Sequence, residues 1–285
     1  LPLSASLAGQ MNFDWLETFI NRDIHRLDGE LDIDLIASGE LTAPYLTGVV
    51  RLSDAAYRNQ ITRTTLKEGQ LDLLFEGRRM SIGTGKASDG ENGRIIGLGF
   101  VDWQAITGTQ QRGDVELVVI TRDVSLLRRD ELEGEASGRL EINGDLDSLL
   151  VQGEVEVSPL RIVLNILRDA SIPELELVEI EEMAEEDALQ TNGAQPLFRL
   201  PKVYLDVIMR ASRQAYVSGR GLNAELAGQV RLTGELDDAD YRGRFAVIRG
   251  TFDLFGKRFE LEDGDMLFAN DAISVFIEGR HSGEE

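Results

Sequence analysis

The sequence contains no cysteine, which removes disulfides, thiolate metal sites and cysteine nucleophiles together. Histidine is almost as scarce: His25 and His281 stand far apart with no neighbour at ligand spacing, so no metal site is expected. Only 6 prolines are present against 29 glycines, a balance that disfavours Pro-rich disorder and suits short strands closed by turns. No run approaches the roughly 18 apolar residues of a membrane-spanning helix, and the opening LPLSASLAGQ has no basic leader. The expectation is of an internal fragment whose targeting or anchoring segment lies upstream. Positive charge is short as well: 29 Lys and Arg against 51 Asp and Glu leave a net charge of −22. Such a chain is not steered to phosphate backbones, so no nucleic-acid partner is expected. An anionic membrane surface would repel it, so any lipid contact must be made by apolar groups in a shielded site.

Recognisable catalytic motifs are missing too. Gly83-Thr84-Gly85-Lys86 has the look of a phosphate-binding loop, but Met80 stands where its first Gly belongs and Ala87 where the Mg²⁺-holding hydroxyl belongs. Gly219-Arg220-Gly221-Leu222-Asn223-Ala224 imitates a dinucleotide fingerprint, yet a strand pattern follows where a helix is required. Glu135-Ala136-Ser137-Gly138 lacks the frame of a nucleophile elbow. Asp263 and Asp265 flank Gly264 as a turn former would, in a chain where acidic pairs occur by chance. No enzyme activity and no cofactor are expected.

What the chain does carry is alternation with a period of two. It shows as LDIDL at 31–35, LDLLF at 71–75, VELVV at 115–119, LEI at 140–142, EVEV at 154–157 and VYLDVIM at 203–209. It continues as VRL at 230–232, FAV at 245–247, FDL at 252–254, FEL at 259–261 and ISVFI at 273–277. Strands with one dry and one wet face follow, a pattern that antiparallel sheets tolerate and α/β sheets do not. One segment has helical spacing instead: Phe13, Leu16, Phe19, Ile20, Ile24 and Leu27, with Asp28-Gly29 as a stop. It reads as an amphipathic helix over 13–27, either capping a sheet or lidding a groove. An acidic run within 171–196, ending in turn residues, reads as a solvated linker. The chain thereby divides into β segments over 1–128, 129–170 and 197–285.

A repeat is superimposed on the alternation. Gly39-Glu40-Leu41 leads to Gly48, Gly144-Asp145-Leu146 to Gly153, and Gly234-Glu235-Leu236 to Gly243, each second glycine nine residues after the first. Each first glycine closes an alternating strand and each second one starts another, as a recurring hairpin unit would. Gly219, Gly221, Gly228 and Gly250 are further candidate turn glycines.

The dry face is assigned to Leu31, Ile33, Leu35, Leu71, Leu73, Phe75, Val230, Leu232, Phe245, Val247, Phe252, Leu254, Phe259, Leu261, Phe268, Val275 and Ile277. Two such faces closed on each other make a packed sandwich; one sheet curled on itself makes a trough open to an apolar guest. Periodicity leaves both in play. An outer-membrane barrel is disfavoured because the alternating runs span about 3 to 7 residues, against the roughly 9–11 of a spanning strand.

Longer motifs resemble a known family. VSGRGLNAELAG at 217–228, followed by VRLTGELDDADYRGRFAVIRGTFDLFGKRFELEDGDMLF at 230–268, is similar to the C-terminal signature of the TamB family. SLLRRDELEGEASGRLEINGDL at 125–146 and LDGELDIDLIASGELTAPYLTG at 27–48 resemble it too, so that nearly the whole chain is covered. The resemblance implies an elongated, mainly β, U-shaped "β-taco" of hairpin strands with an apolar interior, in the periplasm of a Gram-negative bacterium. It implies an inner-membrane anchor outside this chain and an outer-membrane partner, a TamA-type barrel with POTRA domains. Related AsmA-like proteins are implicated in phospholipid movement, and the family itself in assembling autotransporters and other outer-membrane β-barrels. Family members usually finish with further strands, so the outer-membrane end is expected to be cut away here. The implied guests are phospholipid acyl chains or nascent β-barrel strands; a plain structural spacer is the third option. About 18 strands at about 4.8 Å would give a trough on the order of 85 Å long.

Overall fold

The computed structural model describes residues 2–12, 23–105, 112–164, 201–269 and 272–281, and every helix-or-strand element among them is a strand. In chain order these are β1 (Pro2–Asn12), β2 (His25–Glu40), β3 (Ala43–Asn59), β4 (Thr65–Gly77) and β5 (Arg79–Ser88). Next come β6 (Arg94–Ala105), β7 (Arg112–Arg129), β8 (Leu132–Asp145) and β9 (Ser148–Val163). The last are β10 (Lys202–Gly219), β11 (Leu222–Glu235), β12 (Asp238–Leu254), β13 (Lys257–Ala269) and β14 (Ala272–His281). All fourteen lie in one sheet in sequence order, with β1 and β14 at its open edges. The all-β, single-sheet expectation holds, and a two-sheet sandwich does not describe it. At fourteen strands the described sheet extends on the order of 60 Å along its stacking direction, shorter than the 18-strand expectation.

Four expectations need correction or lie elsewhere. Neighbouring strands are antiparallel except β9 and β10, which run parallel with Val151 beside Leu205. A parallel pair cannot be joined by a tight hairpin turn, and β9 ends at Val163 while β10 begins only at Lys202. Residues 13–22 of the expected helix, and the whole acidic stretch 171–196, lie outside the described residues. The last turn of that helix is strand: His25–Leu27 open β2 and pair with β3, where Tyr57 Oη lies 2.8 Å from His25 Nδ1. The strands are also 10 to 18 residues long, not 3 to 7. Strand length therefore does not argue against a barrel; the open order of the described strands does.

The reason for that misjudged length is the feature that shapes the fold. Register shifts occur at Leu52/Ala55 in β3, Lys67/Gln70 in β4, Thr121/Val124 in β7, Gly134/Ala136 in β8 and Ala211/Ala215 in β10. A bulge adds one residue, bends the strand and moves the alternation out of phase, so one long strand reads as two short runs. Asp54, Glu68, Asp123 and Gln214, each inside one of these bulges, take positive φ of 50–57°. The bulges lie beside one another across much of the sheet and form a crease. On the inside of the crease the side chains are small, with Ala136, Ala211, Ala215 and Ala224 all buried. Larger groups would collide where the two flaps approach. Each strand thus crosses from one flap to the other, and the hairpin turns form two rims.

Both rims are tied across intervening strands in the N-terminal half. At the first rim, Trp103 of β6 donates its indole N–H to Pro44 O of β3 at 2.9 Å, passing over the β4–β5 turn. It is 5% exposed and packs with Val115, Phe75 and Leu146. At the second rim, Thr64 Oγ1 donates to Leu126 O, and Arg128 N to Thr62 O at 3.1 Å. Asp89, 3% exposed, accepts from the N–H groups of Glu91, Gly93 and Ser125, with Arg128 at 3.5 Å. Burial works against a charged Asp89, but those three N–H groups and Arg128 outweigh it, so the carboxyl is held below the usual carboxylate range.

Replacing Trp103 by Phe strands a buried carbonyl, and should cost about 1–3 kcal/mol in urea unfolding; no loss would mean that this tie is not a structural bond. Because the Asp89 pKa falls on folding, its contribution is complete above the unfolded value of about 4 and fades as pH drops through the lower folded value. Asp89→Asn should therefore weaken the fold at neutral pH by about 2 kcal/mol and flatten the acid decline. Urea midpoints measured across the acid range check this, and an unchanged acid limb would remove Asp89 from that role.

Candidate functional site

Cross-strand partners point to the same face of a sheet, so the register decides which side chains meet. Leu31, Ile33 and Leu35 of β2 stand opposite Leu52, Val50 and Gly48 of β3. Those three in turn face Leu71, Leu73 and Phe75 of β4. In the C-terminal half, Val230 and Leu232 oppose Gly243 and Tyr241, and Gly243 opposes Phe268. Phe245 opposes Met266, Phe252 opposes Phe259, and Val247 opposes Leu226, beside which Leu261 packs. Val275 and Ile277 of β14 face Met266 and Gly264.

All of these lie on the inner side of the crease. They are not equally covered. Leu31 is buried, whereas Val275 and Ile277 on the edge strand are exposed. Leu254 follows Phe252 on the same face but sits beside the β12–β13 turn, 42% exposed.

Sequence reasoning missed the middle of this face. Leu117, Leu140, Val151, Val207 and Met209 continue it through β7 to β10. The alternation there was legible, and could have extended the assignment. Trp103 and the crease alanines carried no such signal, since Ala does not stand out in an apolar period and a lone Trp has no spacing.

The glycines fall into two groups. Gly39, Gly144 and Gly234 stand two residues before a hairpin turn and pair with Pro44, Leu149 and Ala239. Gly221 lies in the β10–β11 turn and Gly219 just before it. The others are within strands: Gly48 faces Leu35 and Phe75, Gly153 faces Leu140, Gly228 faces Phe245, Gly243 faces Val230 and Phe268, and Gly250 faces Ala224. At Gly48 the φ of +136° and the Asp34 carbonyl oxygen both exclude a Cβ. A bulky inner side chain on the neighbouring strand can then lie over bare backbone.

Between the flaps is a cavity of about 380 Å³. Leu132 and Ile162 line it from one side of the crease, and Leu232, Tyr241, Phe245 and Phe268 from the other. Phe245 and Phe268 meet edge to face at 5.8 Å. Arg210 also reaches the wall, with its guanidinium paired to Glu154 at 2.9 Å.

Charge is kept on the outer face. Arg231 grips Asp206 through two bonds of 2.7 and 2.8 Å, Arg244 grips Asp265, and Arg79 grips Asp102. Hydrogen bonds from these guanidiniums hold the Asp206 and Asp102 carboxyls below their ordinary range. Exposed pairs of this kind contribute little stability each, but they keep the outer face wet and the register matched. Asp265 is thereby occupied by Arg244, and Asp263 accepts from the N–H of Gly264. Gly83–Lys86 runs inside β5, and the Gly219–Ala224 segment is a hairpin return.

The site is therefore an apolar channel with a charged exterior, built by strand register. No solved structure matches the chain. The family model of the TamB C-terminal domain matches residues 83–278, from within β5 to within β14. With that match covering more than half of its residues, the chain belongs to the TamB C-terminal domain family.

Proposed function

We propose that the trough shields phospholipid acyl chains and serves as part of a passive lipid conduit between the inner and outer membranes of a Gram-negative envelope. The observation that carries this reading is the uninterrupted apolar inner face, which reaches from β2 to the edge strand β14 and opens into the cavity at Phe245 and Phe268. Burying a methylene is worth about 0.8 kcal/mol, so a 16-carbon chain crossing water unaided faces on the order of 12 kcal/mol. A continuous apolar wall lowers that barrier with no catalytic group. It shifts no equilibrium, so direction must come from elsewhere in the system. Membership of the TamB family supports a role in the translocation and assembly module of outer-membrane biogenesis. The reading places the protein in the periplasm, working with a TamA-type barrel.

One observation favours a second reading. Among the described residues β14 is an edge strand with no partner on its far side, and it exposes Val275 and Ile277 on one face and Phe276 on the other. A strand of a nascent outer-membrane β-barrel could add to that edge, as in a chaperone-like scaffold.

The two separate on substitution of the trough wall. The wild-type protein should co-purify with phospholipid, read by native mass spectrometry and lipid extraction. Leu232→Asp or Phe245→Asp should lose most of it with the fold retained, whereas pairing through a backbone edge should persist. A lipid-free wild type, or variants that keep their lipid, would sink the conduit. If the walls are in fact packed shut, the same substitutions should instead unfold the protein by several kcal/mol.

A further inference from the structure

The β12–β13 hairpin turns through Phe255 and Gly256, which both have positive φ, 49° and 78°. Two-residue loops of this form favour Asn or Asp followed by Gly, because a bulky side chain at positive φ is strained. Here a phenylalanine takes the strained position and packs against nothing: it is 97% exposed. A side chain added at the neighbouring Gly256 would meet nothing within 4 Å, so the tip projects freely. Strain held where no packing repays it points to a role outside the fold.

The surroundings indicate what the tip meets. Leu254, half exposed, and the inner-face pair Phe252 and Phe259 lead the apolar surface of the trough out to Phe255. Lys257 follows the turn, exposed. The adjacent β10–β11 turn, tied on by the hydrogen bond from Asp253 N to Gly221 O at 2.9 Å, sets Arg220 at the same strained position, φ 53°. Arg258 is the third cation, paired with Asp253. Across the two turns Arg220, Lys257 and Arg258 stand against Asp253, a formal excess of two positive charges at this corner of a chain of net charge −22. At physiological salt the Debye length is about 8 Å, so the corner presents its own charge and not that of the whole chain.

We infer that this hairpin is a membrane-contacting tip: Phe255 enters the interfacial zone of a phospholipid bilayer while Lys257 faces lipid phosphate. An aromatic point beside a lysine fits that zone, where apolar and anionic groups lie a few ångströms apart. The inference does not rest on the trough carrying lipid, since the tip can seat on a bilayer whatever the trough holds.

Vesicles of phosphatidylethanolamine and phosphatidylglycerol, with and without brominated acyl chains, test it. In Phe255→Trp, the emission added to that of the 2 native tryptophans should shift to the blue with vesicles and be quenched by bromine. Phe255→Asn should raise the melting temperature, because Asn suits the turn, and lower vesicle partitioning about tenfold. Unshifted, unquenched emission overturns the inference, as does an Asn variant that partitions like wild type or melts lower. Binding to a protein while ignoring vesicles would also overturn it, and would assign the tip to a partner's pocket.

Discussion

The fold depends on keeping one apolar face inward through a bend. A sheet this wide cannot fold over on itself unless its strands change direction at a common level. A strand that gains a residue there also swaps the faces of everything beyond it, unless the bulge absorbs the extra residue. Asp54, Glu68, Asp123 and Gln214 are those absorbing positions. They let Leu52 and Tyr57, five residues apart, stay on the same face although the strand turns between them. The crease alanines and the trough wall follow from that requirement, since one flap can approach the other only over small side chains.

How much of this was readable without coordinates follows from the range of each signal. Period-two alternation acts between residues two apart, so it identified the inner face at Leu71–Phe75 and Val230–Leu232. The nine-residue glycine spacing acts over one hairpin, and all three spaced pairs fall in equivalent hairpins: one glycine near the turn, its partner inside the next strand opposite a large apolar residue. What failed was longer in range or out of phase. Bulges broke the alternation into apparent short strands, so strand length was underestimated throughout. The parallel pairing of β9 with β10 joins residues distant in sequence. The Trp103 to Pro44 bond joins positions with no shared pattern, and at His25–Leu27 pairing with β3 prevailed over a helical spacing.

The charge excess has a structural explanation as well as a solubility one. The outer face repeats cross-strand Arg–carboxylate pairs such as Arg231 with Asp206 and Arg244 with Asp265, and over the chain 51 acids outnumber 29 Lys and Arg. Like charges spread over the outside of a curved sheet disfavour face-to-face association of two copies, and the apolar inside is sheltered by the curvature. Apolar side chains nonetheless stay exposed on many strands, Ile36, Ile96, Leu98 and Ile248 among them, as well as at the β14 edge and the Phe255 tip.

The crease also separates two dimensions of the molecule. The bore is set by how far along each strand the bulge falls, a matter of a residue or two within a hairpin. The length is set by how many hairpins follow one another, each adding about 10 Å. Duplication of a hairpin therefore works as a ruler, lengthening the trough with no change to its cross-section. A shifted bulge acts as a gauge, widening or narrowing it at one level. A lineage can lengthen or shorten such a protein by copying or losing sequence, without redesigning any wall it already has.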